Sequence, residues 1–199
     1  MTIRASDRAA SERFYDTVLA AIGVERPDDF SVAQADDEFP VTGRLHVGFV
    51  APSREAVDAL WRTGTEAGYE SDGEPGPRPQ YSPEYYGGFL RDPDGNSAEA
   101  VHRGDMRHSG VVDHLWIRVA DLPAARRFYE QVGQQAGFRL GHDSPERARF
   151  GGEDGSFSLL PGPPTEHLHM AFASRSDEDV AALRDPDGNN IELVHHNRE

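Results

Sequence analysis

The sequence predicts an α+β protein built from tandem repeated βαβββ modules whose strands form open curved sheets. Three observations carry that expectation. Blocks of sequence recur in the same order in the two halves of the 199-residue chain, and such recurrence is the signature of a repeated architecture. Inside each block the apolar pattern switches between the two-residue period of a strand and the 3.6-residue period of a helix. A DPDGN segment occurs twice, at 92–96 and at 185–189, each time just before an apolar run.

The first block, IRASDRAASERFYDTVLAAIG at 3–23, lies over IRVADLPAARRFYEQVGQQAG at 117–137 without a gap, an offset of 114. LHVGFVAPSREAVDAL at 45–60 lies over LHMAFASRSDEDVAAL at 168–183, an offset of 123. RDPDGNSAEAVH at 91–102 lies over RDPDGNNIELVH at 184–195, an offset of 93. The fall in offset leaves Trp61 to Leu90 without a counterpart. The division is therefore a first domain at 1–104, its first strand truncated, and a second at 110–199, shorter by about 30 residues.

VVDHLWIRVAD alternates and is rich in β-branched and aromatic residues, so it predicts a strand. Asp121 then caps a helix, with Pro123 in its first turn and Leu122, Ala125, Phe128, Val132 and Ala136 on one stripe, ending near Gly137. Asp7 starts its twin, with Ala10, Phe14, Leu19 and Ile22 on the buried side. HLHMAFAS predicts a further strand, followed by a second, weaker helix. In DPDGN, Pro presets φ and Gly supplies a positive φ, which makes a turn.

Composition narrows the chemistry. Apolar residues make up 37% and charged residues 28%, which suits a folded, surface-rich protein. The net charge of −15 sets the chain against nucleic acid. All 20 basic residues are arginine, and lysine and cysteine are absent. Lysine Schiff bases, thiol nucleophiles, disulfides and thiolate metal sites are thereby excluded. No run reaches the roughly 20 apolar residues of a membrane span, and the N-terminal residues lack the apolar stretch of a secretory signal, so no membrane partner and a cytoplasmic location are expected.

Nitrogen and oxygen metal ligands remain. Strand parity puts His114, Trp116 and Arg118 on one face, against Leu115, Ile117 and Val119 on the other. The same parity selects His169 in the next histidine-bearing strand and Glu192 in the last. His114, His169 and Glu192 are thus the expected metal ligands: two imidazoles and a carboxylate, leaving coordination positions open. His46 and Glu99 align with His169 and Glu192 and form a second, incomplete set, whose missing member falls at position 0.

These residues, in the frame D-H-L-W-I-R-V-x-D-L-x-x-A-x-x-F-Y, then H-M-A-F, then D-P-D-G-N-x-I-E-L, resemble the vicinal oxygen chelate superfamily. That group contains glyoxalases, bleomycin-resistance proteins, fosfomycin-modifying enzymes and extradiol dioxygenases. The resemblance covers nearly the whole chain twice. It implies βαβββ modules paired around a divalent ion (Fe, Mn, Zn, Ni or Mg) and a lyase or dioxygenase acting on a small oxygenated molecule. Glyoxalase-type members carry a fourth ligand, a Glu on the strand before the middle one, where this chain has SFSLLPG. The alternative implied is a metal-free, antibiotic-binding resistance protein, whose acidic character would suit a cationic ligand.

The PGPRPQYSPEYYGG segment gathers Arg78, Tyr81, Tyr85 and Tyr86, which together with Trp116 and Arg118 are the expected substrate-binding residues. His142 and His167 are the nearest acid–base candidates. Sheet edges left by the missing segment point to a homodimer.

Overall fold

The computed structural model describes residues 1–25, 30–104, 110–152, 155–174 and 180–195. In chain order the elements are β1 (Thr2–Ala5), α1 (Arg8–Ala21), β2 (Ser31–Gln34), β3 (His46–Val50), α2 (Arg54–Glu66), β4 (Ser71–Pro77), β5 (Tyr86–Arg91) and β6 (Ser97–His102). They continue as β7 (Val112–Val119), α3 (Leu122–Ala136), β8 (Arg139–Ser144), β9 (Arg147–Gly151), β10 (Ser156–Pro161), β11 (His169–Ala173), β12 (Ala181–Arg184) and β13 (Asn190–Val194). The architecture is the α+β class of open sheets that the repeat predicts.

Each helix starts where a side chain can take an orphan backbone N–H. Asp7 accepts from Ala10, Ser53 from Ala56 and Asp121 from Ala124, at 3.0, 3.2 and 2.9 Å. Gly137 ends α3 in the left-handed conformation, φ 79°, which a residue without Cβ adopts at no steric cost. The predicted stripes of α1 and α3 face inward, and each of these two helices adds a fully buried tyrosine, Tyr15 and Tyr129.

The strands assemble into two sheets, one ordered β4-β5-β6-β3-β7-β10-β9-β8 and the other β12-β13-β11-β1-β2. The larger sheet contains two complete βαβββ modules, β3-α2-β4-β5-β6 and β7-α3-β8-β9-β10. They meet where β3 runs antiparallel to β7. One module comes from the end of the first sequence repeat and the other from the start of the second. The repeats at 1–104 and 110–199 therefore interleave, and both sheets draw strands from each. In the smaller sheet β1 meets β11 in the same antiparallel sense.

One expected element differs. The weaker helix after HLHMAFAS is replaced, over its described part, by β12, which pairs antiparallel with β13; residues 175–179 lie outside the described residues. Its counterpart α2 is amphipathic and packs on β5 and β6, and the segment containing most of that helix's last turns and β4 is what the second repeat lacks.

Both DPDGN turns are anchored in the same way. Tyr15 donates to Asp92 and Tyr129 to Asp185, each at 2.9 Å. Asn96 accepts from the Leu45 N–H at 3.0 Å and Asn189 from the Leu168 N–H at 2.9 Å. The turn thus holds the residue that precedes each middle-strand histidine, His46 or His169.

Candidate metal centre

The register of the larger sheet decides which ligands meet. His46 lies opposite Trp116 on one side and Ser97 on the other, and Gly48 lies opposite His114 and Glu99. Because parity puts His46, Glu99 and His114 on one face, their ligand atoms all fall within 4.8 Å of one another, the one such group of three among the described residues. Glu99 Oε2 is 3.0 Å from His46 Nε2 and 3.3 Å from His114 Nε2. The two Nε2 atoms are 3.3 Å apart.

This corrects the expected grouping. His114 does not join His169 and Glu192, because β7 borders β3 whereas β11 and β13 belong to the other sheet. His169 and Glu192 do face each other, at 3.3 Å, and are about a quarter and a third exposed. Their sheet pairs Thr2 with His169, as the larger sheet pairs Trp116 with His46. Among the described residues no third donor joins His169 and Glu192.

The atoms behind the ligands are also arranged. Asp113 Oδ2 is 2.8 Å from His114 Nδ1, although neighbours on a regular strand point to opposite faces. A bulge makes this possible: Gly48 pairs with His114 and Phe49 with Val112, so Asp113 is the extra residue. Bulges beside functional sites re-aim side chains in this manner. Arg103 in turn donates to Asp113 at 2.7 Å. His46 Nδ1 is 3.1 Å from Ser97 Oγ. Both imidazoles are therefore held through Nδ1 with Nε2 turned to the centre, as second-shell groups hold metal-ligating histidines. The Tyr85 hydroxyl donates to Glu99 Oε1 at 2.8 Å, which leaves Oε2 toward the imidazoles.

Two glycines make room for these groups. A Cβ on Gly48 would overlap the His114 ring, and one on Gly87 would overlap Glu99 Oε1. Neither requires glycine for its φ. We expect Gly48→Ala to retain the fold, at a cost of about 1–3 kcal/mol, while lowering affinity for Mn(II) at least tenfold. Circular dichroism and calorimetric titration read the two effects separately.

Electrostatics within the cluster are uneven. Burial raises the Glu99 pKa, but hydrogen bonds from His114 and His46 outweigh it and bring the carboxyl to about 2. Burial lowers the His114 pKa, but its bonds to Asp113 and Glu99 raise it to about 9. Burial keeps His46 below 6.5, against the pull of Glu99. At neutral pH the metal-free centre thus holds a carboxylate, one imidazolium and one neutral imidazole. A folded-state pKa above the unfolded value adds stability that is complete below the unfolded pKa and lost as pH rises through the folded one. The Tm of the metal-free protein should therefore fall between pH 6.5 and 9. In H114Q that fall should be absent in a pH series of thermal melts.

A cavity of about 450 Å³ opens beside the centre, with His46, Phe89, Trp116, Tyr81, Arg78 and Arg118 on its wall. Four of the expected substrate-binding residues thus line it, and Tyr85 touches Glu99. Tyr86 points the other way: its hydroxyl donates to Asp58 on α2 at 2.8 Å, because Tyr85 and Phe89 share the parity of the site face and Tyr86 and Leu90 do not. His142 lies exposed on β8, an edge strand. His167 is exposed and lines a separate cavity with His169 and Glu192. Sequence reasoning did not find Asp113, Ser97, Gly48, Gly87 or Arg147. The Asp immediately before His114 was the one visible signal among them.

Fold and site together define a protein of paired βαβββ modules with two imidazoles and a carboxylate converging where the modules join. The family model described as the Glyoxalase/Bleomycin resistance protein/Dioxygenase superfamily matches residues 1–100, and the chain belongs to that superfamily. Glyoxalase I from Zea mays is similar in structure at 17% identity, with a TM-score of 0.66, over 98% of this chain and 90% of that one. A putative dioxygenase from Bacillus subtilis is similar at 14% identity, TM-score 0.60, over 98% and 84%. A glyoxalase/bleomycin resistance protein from Albidiferax ferrireducens shares 29% identity over 52% of this chain and 96% of its own, with a TM-score of 0.44. No curated protein matches.

Proposed function

We propose that the chain is a divalent-metal enzyme of the lyase or dioxygenase kind, acting on a small molecule with neighbouring oxygen atoms, and that His46, Glu99 and His114 hold the ion. The observation that supports this is the approach of two Nε2 atoms and one carboxylate oxygen to within 3.0–3.3 Å of one another. Two histidines and one carboxylate with open positions are the donor set of non-haem iron(II) sites. Superfamily membership adds the expectation of a divalent ion. Such an ion would act as a Lewis acid on substrate oxygens, and iron(II) would add dioxygen activation.

The chain's own residues prepare that chemistry. Asp113 and Ser97 fix the ring orientations, and Tyr85 ties one Glu99 oxygen so that the other is free to coordinate. β10, beside β7, offers Ser156 and Ser158 and no carboxylate. Ser158 is itself engaged by Arg147. Among the described residues the donor set thus stops at three, which favours the dioxygenase or fosfomycin-modifying pattern over the four-ligand glyoxalase pattern.

The rival reading, a metal-free binding protein, draws on one feature: Glu99 is already satisfied by Tyr85, His46 and His114. Calorimetric titration of stripped protein with Mn(II), and with Fe(II) under argon, decides between them. One ion bound per chain is expected. Protein that takes up neither ion overturns the proposal and leaves the binding protein. A homodimer, formed across the unpaired outer strands of the sheets, belongs to the same proposal and is checked by light scattering on the eluted protein.

A further inference from the structure

The cavity beside the centre carries charge opposite in sign to the chain. Overall the protein is at −15, yet the cavity wall has four arginines and a single carboxylate, Asp72. Asp72 is taken by Arg91 at 2.5 Å, and Arg44 pairs with Glu166. The other two have no carboxylate partner among the described residues. Arg78 donates to the backbone carbonyls of Glu74 and Pro77, at 2.6 and 3.2 Å, and its guanidinium sits 5.4 Å over the Phe89 ring. Arg118 extends from β7 across Gly162, whose position would admit a Cβ only 3.2 Å from Nη1.

A third guanidinium lies just behind. Arg147 donates through Nε and Nη2 to Ser158 Oγ, at 2.9 and 2.8 Å, and stands 5.9 Å over Trp116. It too has no carboxylate partner among the described residues. Three guanidiniums without a carboxylate partner give one aromatic-lined cavity a positive potential and leave donors open to the solvent it admits, and planar guanidinium suits carboxylate or phosphonate in a bidentate manner. Trp116 and Tyr81 meet edge to face at 5.4 Å and offer the flat apolar surface beside that charge. A cationic ligand, which the net charge alone suggests, would meet a wall of its own sign.

We infer that the molecule this cavity takes is an organic anion, its carboxylate or phosphonate held by Arg78 and Arg118 and its planar or apolar body against Trp116 and Tyr81. The inference names the substrate class of the proposed centre and rests on that reading only for where the reacting oxygens would lie. Holding the anion requires no metal.

The test uses metal-free protein and probes with no neighbouring oxygens to chelate. In a W61F background, Trp116 is the one remaining tryptophan, and its fluorescence is titrated with benzoate, phenylphosphonate and benzylamine. The two anions are expected to bind at least about tenfold more tightly than benzylamine. Arg118→Gln should weaken anion binding about 5- to 10-fold, in keeping with loss of a charge-assisted pair. Arg13→Gln removes the same charge from an exposed position on α1 and should leave it unchanged. Equal or tighter binding of benzylamine, or equal effects of the two substitutions, would overturn the inference. Protein that prefers benzoate and takes up no metal supports the inference while sinking the proposed function. Protein that binds Mn(II) and shows no anion preference does the reverse.

Discussion

Replacing His114 by Ala should abolish stoichiometric binding of Mn(II), whereas replacing His169 or Glu192 should leave it intact. The contrast follows from sheet membership. His114 Nε2 lies 3.3 Å from Glu99 Oε2 and 3.3 Å from His46 Nε2, so its loss removes one of three donors and leaves two groups that cannot close a site by themselves. Loss of His46 or Glu99 has the same consequence. A drop of at least 100-fold in affinity is expected for each, larger than the 10- to 100-fold that loss of a supporting group such as Asp113 produces. His169 and Glu192 sit in the five-stranded sheet, where the third donor has no counterpart among the described residues. Calorimetric titration of H114A, H46A, E99Q, H169A and E192A checks the whole set. Metal lost in H169A and retained in H46A would refute the assignment.

The same contrast shows how far the sequence could be read. Parity within strands was legible, because a two-residue alternation is local: His46, Glu99 and His114 each stand on the face that the flanking Val47, Ala98 and Leu115 do not occupy. The repeat was legible as well, and it identified His46 with His169 and Glu99 with Glu192. What a repeat cannot give is which copy of a strand borders which. β7 follows β6 by a short connection and turns back antiparallel against β3, so the strand carrying His114 completes the set that precedes it in the chain. The set that follows lies in the other sheet.

The orientation of Tyr86 and the role of Asp113 were hidden for the same physical reason. Tyr85 and Tyr86 are adjacent, and only the pairing of Phe89 with Glu99 across β5 and β6 shows which tyrosine faces the site. Asp113 reaches His114 through a bulge, and a bulge breaks the alternation from which parity is inferred. The helix predicted after HLHMAFAS, whose described part is β12, was weak in sequence, and the second repeat lacks the segment that in the first supplies β4 to frame α2 together with β5 and β6. The glycines were opaque for a different reason. Gly48 and Gly87 have no unusual φ, and their need for hydrogen in place of Cβ comes from rings and carboxylates contributed by other strands.

The second large effect is expected in stability, at Asn96. Its side chain is fully buried. It accepts from the Leu45 N–H at 3.0 Å and donates to the Thr42 carbonyl at 3.0 Å and to Asp92 at 3.1 Å. Asn96→Ala leaves three buried polar partners short of a bond. Each unmade bond costs about 1–3 kcal/mol, so a total of about 3–5 kcal/mol is expected after partial relaxation. For a chain of this size that is a fall in Tm of about 10 °C or somewhat more. Asn189 makes the equivalent bonds to the Leu168 N–H and to Asp185, and Asn189→Ala should likewise lower Tm, by less, since among the described residues no third bond matches that to Thr42. The two substitutions should differ further in metal binding. Asn96 fixes the residue before His46 and precedes Ser97, which meets His46 Nδ1, so N96A should weaken Mn(II) binding as well as stability. N189A loosens His169, which is no part of the cluster, and should leave Mn(II) affinity unchanged. Thermal melts paired with titrations on both variants read the two effects apart. An N96A protein that melts within about 2 °C of the parent would mean that the DPDGN turns are held by Tyr15 and Tyr129 alone, and that the asparagines merely fill their ends.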